Sequence, residues 1–142
     1  MGEPITVDVR WVEGYTFIAS NQDGYSVIMD APVAEGDVPR SISPAQMLLC
    51  ALGACTGIDV VSILKKMRQE VAGLRVEVTG DRTPRYPKYF KEIHVKYIVK
   101  GKAIDEAALE KAISLSHEKY CTVSLTVDGK AKMSSSYEIV DS

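Results

Sequence analysis

Sets of metal ligands are missing from this sequence. Its two histidines, His94 and His117, lie far apart, and no Cys-x-x-Cys, His-x-x-x-His or acidic cluster has the spacing a metal needs. Neither a Gly-x-Gly-x-x-Gly turn nor a phosphate loop occurs, so there is no signature for a nucleotide cofactor, and no cofactor is expected. Basic residues show no excess: 17 Lys and Arg stand against 19 Asp and Glu, a formal net charge of −2. That balance argues against nucleic acid or an anionic membrane as a partner. The opening MGEPITVDVR lacks a basic segment leading into an apolar one, the pattern of a secretion signal. Three cysteines are too few for a disulfide scaffold and read as cytoplasmic thiols. Internal repeats are absent, and 142 residues suit a single domain spanning 1–142.

What is present centres on SPAQMLLCALGACTGIDVVSILKKMR, Ser43 to Arg68. Ser43 is a good N-cap, Pro44 suits the first helical position, and Gln46 completes a capping box. From Ala45 to Ile58 no side chain is charged, and apolar residues fall on every side. The expectation is a helix buried nearly all round. Its 14-residue uncharged run before Asp59 is too short to span a bilayer. A chain of this size can hardly cover such a helix alone, which predicts a homodimer with two of these helices packed together.

Period-two alternation marks the strands. Ile5, Val7, Val9 and Trp11 predict a half-buried strand, followed by Tyr15 to Ala19 and Tyr25 to Met29 in an antiparallel meander. Asp30 to Ile42 is rich in Pro, Gly and acid and reads as a loop. Beyond the long helix, Leu74, Val76 and Val78 alternate, as do Ile93, Val95, Tyr97 and Val99; residues 80–92 read as a long connection with basic and aromatic residues interleaved. That connection either packs its rings on the sheet or roofs a pocket. Asp105 caps a second helix running to about Tyr120, with Ile104 and Leu109 spaced as a hydrophobic staple and Leu109, Ala112, Ile113, Ser116 and Tyr120 on one face. Val123, Leu125 and Val127 alternate into Asp128-Gly129, a hairpin signal, and Ala131 to Ile139 predict a last strand. The order βββ-α-ββ-α-ββ predicts an α+β fold with antiparallel sheets around a long buried helix.

The chemistry lies in the thiols. Cys50 reads as core filling, because buried cysteines behave as small hydrophobes. Cys55 shares a helix face with Asp59 at i, i+4, and a carboxylate in so apolar a run needs a cationic or hydrogen-bonding partner, such as a Lys or Arg from the sheet. An ordinary thiol is only slightly ionised at neutral pH, so a reactive Cys55 needs a guanidinium or ammonium from elsewhere. Arg40 and Arg10 are the candidates. Cys121, at a helix C-terminus, faces the negative end of the dipole, which disfavours its thiolate. If the two act together, Cys55 is the better attacker and Cys121 the better resolver. His94 and His117 read as surface residues.

Taken together, SPAQMLLCALGACTGIDVVSILKKM, SHEKYCTVSLTV (Ser116 to Val127), the opening strand to Trp11 and the IMDAP turn resemble the OsmC/Ohr family of thiol-dependent hydroperoxide reductases over nearly the whole chain. The resemblance implies an intertwined homodimer with its sites at the interface. It implies that Cys55 corresponds to the peroxidatic cysteine and Cys121 to the resolving one. The substrate would be an organic, fatty-acid-type hydroperoxide: Cys55 becomes a sulfenic acid, condenses with Cys121 to a disulfide, and is restored by a dithiol of lipoyl or thioredoxin type. One position departs. Peroxidase members carry a glutamate after the helix-opening proline, which holds an arginine near the nucleophile; here that position is Ala45, followed by the neutral Gln46. The departure keeps a second reading open, a non-catalytic or redox-sensing protein that binds a small hydrophobic ligand at the dimer interface.

Overall fold

Three short strands open the chain: β1 (Asp8–Glu13), β2 (Thr16–Ser20) and β3 (Ser26–Met29), an antiparallel meander with Arg10 opposite Ile18 and Phe17 opposite Met29. The computed structural model describes residues 2–141 and divides them into two compact units, one ending at Leu48 and one beginning at Leu49. Gly14 (φ 53°) and Gly24 (φ 85°) make the turns, in a backbone region that costs glycine little. β1 differs from expectation in burial. All six of its residues are exposed, as are Ile5 and Val7 ahead of it, so the alternation is present without a covered face. Asp30 to Ile42 is irregular as expected, and Asp30 organises it. The Asp30 carboxylate accepts the Arg40 backbone N–H at 2.7 Å and the Thr16 hydroxyl at 3.3 Å.

The long helix, α1 (Pro44–Lys66), opens on the predicted reciprocal cap. The Gln46 N–H donates to Ser43 Oγ at 3.1 Å, and the Ser43 N–H donates to Gln46 Oε1 at 2.9 Å. Two expectations for this helix are corrected. Its apolar character continues past Asp59 through Val60 to Leu64, so its 23 residues are long and apolar enough, by length and composition alone, to cross a membrane. It is also not buried all round. Only 28% of its most apolar 18-residue window is buried, and Ile58 is 70% exposed. The buried residues, Leu52, Gly53, Thr56, Gly57, Val60 and Leu64, form one face. One sheet packs against that side, and the opposite side is bare.

That sheet consists of β4 (Glu70–Arg82), β5 (Phe90–Lys102) and β6 (Lys132–Asp141). β4 and β5 pair antiparallel out to Arg82 opposite Phe90, so the connection is confined to residues 83–89 and is shorter than predicted; Tyr86 on it is 85% exposed. α1 lies close to β4 because Gly53 and Gly57 present no side chain. A Cβ on Gly53 would stand 3.0 Å from Val78 Cγ2, and one on Gly57 3.5 Å from Val76 Cγ2.

α2 (Glu106–Leu115) is capped by Asp105, whose carboxylate accepts the Ala107 N–H at 3.3 Å; Ile104 and Leu109 both enter the core. The helical path continues as a π-helical turn, Ser116–Tyr120. The segment predicted as a strand from Val123 to Val127 is instead a short helix, α3 (Thr122–Val127). Cys121 caps it through its sulfur, and no hairpin forms at Asp128-Gly129. β6 consequently reaches the sheet through a helical crossover, and it pairs parallel to β5, with Tyr97 opposite Tyr137, rather than antiparallel. The α+β class stands; the last third has one strand fewer and one helix more than the sequence suggested.

The tightest backbone approach in the sheet lies at Gly101, where a Cβ would fall 2.2 Å from the Glu70 carbonyl oxygen. Gly101→Ala is expected to destabilise the fold by about 2–3 kcal/mol, read as a lowered urea midpoint with an unchanged m-value.

Candidate thiol site

Cys55 and Cys121 meet in the second unit. Cys55 sits half-buried on the core side of α1; Cys121 is fully buried, between the π-helical turn and α3, and its side chain lies beside that of Cys55. Both are free thiols. The Cys121 N–H donates to the Ser116 carbonyl at 2.8 Å, closing the turn, and the Ser124 N–H donates to Cys121 Sγ at 3.3 Å. Cys121 therefore belongs to two elements, a helix end as expected and a helix start that the sequence reading missed. Its thiol is pushed up from the ordinary 9.0 to about 11, chiefly by burial and then by the adjacent Cys55 side chain; the Ser124 N–H opposes the rise, and the charges of Cys55 and Asp59 add to it. Such a thiol keeps its proton at neutral pH.

Asp59 finds a hydrogen-bonding partner rather than a cation. The Ser116 hydroxyl donates to Asp59 Oδ2 at 2.8 Å, and among the described residues Asp59 joins no ion pair. Behind Ser116 lies a buried chain: Thr56 Oγ1 is 2.9 Å from Ser116 Oγ and 2.6 Å from Tyr97 Oη, and all three residues have no exposed surface. A carboxylate only accepts, so the single Ser116 proton goes to Asp59. Thr56 must then donate to Ser116, and Tyr97 to Thr56. Burial raises the Tyr97 phenol, which keeps it a donor. All three O–H groups point down the chain toward Asp59.

The remaining candidates occupy other places. Arg10 pairs with Asp8 at 2.6 Å and Arg40 with Glu13 at 3.4 Å, both guanidinium groups largely in solvent within the first unit. Arg40 lines a cleft of about 270 Å³ together with Glu13, Thr16 and Asp30; the backbone N–H of Arg40 is the main reason the Asp30 carboxyl lies below its usual range. Gln46 Oε1 is taken by the cap. Cys50, expected in the core, is exposed, because it lies on the bare face of α1. His94 and His117, expected at the surface, are half-buried and hydrogen-bonded: His94 bridges Ser134 and Ser136 at 2.7 and 2.8 Å, and His117 Nδ1 lies 2.6 Å from Ser124 Oγ.

The family model described as OsmC-like protein matches residues 35–136. The chain belongs to the OsmC-like family. Protein YhfA of Escherichia coli K12, whose name states no activity, is 41% identical over 132 residues, covering 93% of this chain and 96% of its own. A crystal structure of a hypothetical protein from Aquifex aeolicus superimposes with a TM-score of 0.87 at 33% identity, over 99% of both chains. The organic hydroperoxide resistance protein OhrB of Bacillus subtilis shares the fold, with a TM-score of 0.64 at 19% identity over 96% of this chain and 98% of its own.

In this OsmC-like chain the residues that sequence reasoning missed are Thr56, Tyr97 and Ser116. Ser116 was legible as a hydroxyl on the core face of a helix, and Asp59 as a carboxylate in need of a donor; the two needs answer each other.

The Cys121 thiol has a pH signature. Its folded-state value is raised, so the native state holds a proton that the unfolded chain gives up first, and stability falls as pH rises from about 9 toward 11. The expected loss attributable to Cys121 is about 2 kcal/mol. Urea unfolding at pH 8 and pH 10.5 measures it, and Cys121→Ala should lack that component.

Proposed function

We propose that the chain is a thiol-dependent peroxidase of the OsmC-like family that reduces organic, fatty-acid-type hydroperoxides through Cys55 and Cys121. The observation that carries this reading is the half-buried Cys55 thiol with the buried, protonated Cys121 thiol in contact behind it. A nucleophile must reach its substrate, and a resolving thiol must wait without competing for it. Cys55 attacks the peroxide oxygen, the O–O bond breaks, an alcohol leaves, and a sulfenic acid remains on Cys55. Cys121 closes the disulfide, and a dithiol of lipoyl or thioredoxin type reopens it. Arg40 and Arg10 are the proposed sources of the cation that a Cys55 thiolate needs; each is held only by an exposed ion pair, and such pairs are weak.

The family match crosses the boundary between the two units, which supports reading the whole chain as one OsmC-like domain; a cytoplasmic location would suit a protein that works through reduced thiols. A homodimer is supported by the bare face of α1 and the uncovered β1. The second reading, a binding or redox-sensing protein, is favoured by Ala45, which leaves no carboxylate beside the helix-opening proline to hold a guanidinium, and by the engagement of Gln46 Oε1 in the cap.

Cys55→Ser is expected to abolish lipoamide-dependent consumption of cumene hydroperoxide, and Cys121→Ser to leave a sulfenic acid trapped by dimedone; undiminished turnover in the Cys55 variant would remove the mechanism. Sedimentation equilibrium at micromolar concentration should give twice the 15.5 kDa chain mass, and Ile58→Lys, on the bare face, should shift it toward one chain.

A further inference from the structure

We infer that the hydroxyl chain from Tyr97 through Thr56 and Ser116 to Asp59 is a positioning device that holds Cys121 against Cys55 for disulfide closure. The inference deepens the peroxidase reading and rests on it for the identity of the oxidant, an organic hydroperoxide. Ser116 joins the two cysteines. Its carbonyl accepts the Cys121 N–H at 2.8 Å, and its hydroxyl donates at 2.8 Å to Asp59, one turn beyond Cys55 on α1. The same residue therefore fastens the backbone of one cysteine and the helix of the other. Thr56, adjacent to Cys55, adds a second tie to Ser116 at 2.9 Å, and Tyr97 locks Thr56 from β5 at 2.6 Å. Each hydroxyl in the chain has one proton and a fixed direction for it. With Thr56, Ser116 and Tyr97 fully buried, no water competes for these bonds, and removing one hydroxyl leaves its neighbours unpaired.

In the step this device serves, the Cys121 sulfur attacks the sulfenic sulfur of Cys55. The S–S bond forms and the S–OH bond breaks; the Cys121 proton and the departing hydroxide leave as water. The Cys121 sulfur is oxidised by one unit and the Cys55 sulfur reduced by one. Tyr97, Thr56, Ser116 and Asp59 exchange no electrons in it. Their contribution is the separation and angle of the two sulfurs, on which the rate of such a step depends steeply.

The test separates the two half-reactions. With cumene hydroperoxide in single turnover, Thr56→Val should form the Cys55 sulfenic acid within about twofold of the wild-type rate but close the disulfide ~10- to 100-fold more slowly, so that the dimedone adduct accumulates. Thr56→Ser, which keeps the hydroxyl, should restore closure; a loss due to volume alone would not show this rescue. Tyr97→Phe, at the far end, should slow closure several-fold and carries the test if Thr56→Val fails to fold. In a glutathione redox buffer without peroxide, the Cys55–Cys121 disulfide of Thr56→Val should also be about tenfold less favoured than in the wild type. Closure and redox equilibrium at wild-type values in both Thr56→Val and Tyr97→Phe would overturn the inference. A wild type that forms the disulfide with glutathione yet gives no sulfenic acid with hydroperoxide would sink the peroxidase reading instead; the glutathione comparison would still decide this one.

Discussion

The close approach of α1 to β4 is the constraint from which the second unit follows. Gly53 and Gly57, one turn apart, remove the side chains that would hold helix and strand apart, and Thr56 between them is small enough to enter the same seam. Leu52, Val60 and Leu64 then fill the layer with Val95, Tyr97 and Val99 from β5 and Leu109, Ala112 and Ile113 from α2. Because the seam is narrow, the hydroxyl of Tyr97 on the sheet reaches Thr56 on the helix at 2.6 Å without any intervening water. A bulkier residue at either glycine would push the helix off the strand and open that bond first. The packing that makes the core also sets the position of Cys55, which lies between the two glycines on the same helix.

Around the sulfurs the environment is asymmetric, and the asymmetry has a chemical sense. Cys121 is sealed in, with its proton secured by burial, by its contact with Cys55 and by the negative charge of Asp59. Cys55 retains access to solvent. A pair of equally exposed thiols would compete for oxidant and for each other, whereas one accessible and one protected thiol impose an order on events. Among the described residues the ion pairs of the second unit, Arg75 with Glu77 and Lys96 with Glu138, are exposed, and no cation is among the groups that shift Cys121.

Most of the architecture was legible, for reasons that are local. The Ser43–Gln46 cap, the Asp105 cap, the meander and the β4–β5 hairpin each carry their own turn or periodicity signal, and the structure keeps them. The two cysteines were legible as a pair only through the family resemblance, since nothing local links residues 55 and 121. The failures share a different cause. Val123, Leu125 and Val127 alternate like a strand, yet the segment is helical because the Cys121 sulfur caps it and the Thr126 hydroxyl donates back to the Thr122 carbonyl at 2.7 Å. Once that segment is a helix, β6 arrives by a crossover and must run parallel, so a single local misreading also reversed a strand. Burial of α1 and β1 was overestimated because apolar sequence states what needs cover and not whether one copy of the chain supplies it.

The π-helical turn ties these threads together. Had α2 continued as an α-helix, the Cys121 N–H would have bonded to the carbonyl of His117, four residues back. The wider turn carries that bond to Ser116, five residues back, and so makes one residue the anchor of both the backbone at Cys121 and the side-chain chain to Asp59. π-helical turns give up some helix regularity, and their concentration at functional sites reflects what the irregularity achieves. Here it brings the end of one helix, the start of the next and the middle of a third to a single point, and both thiols lie at that point.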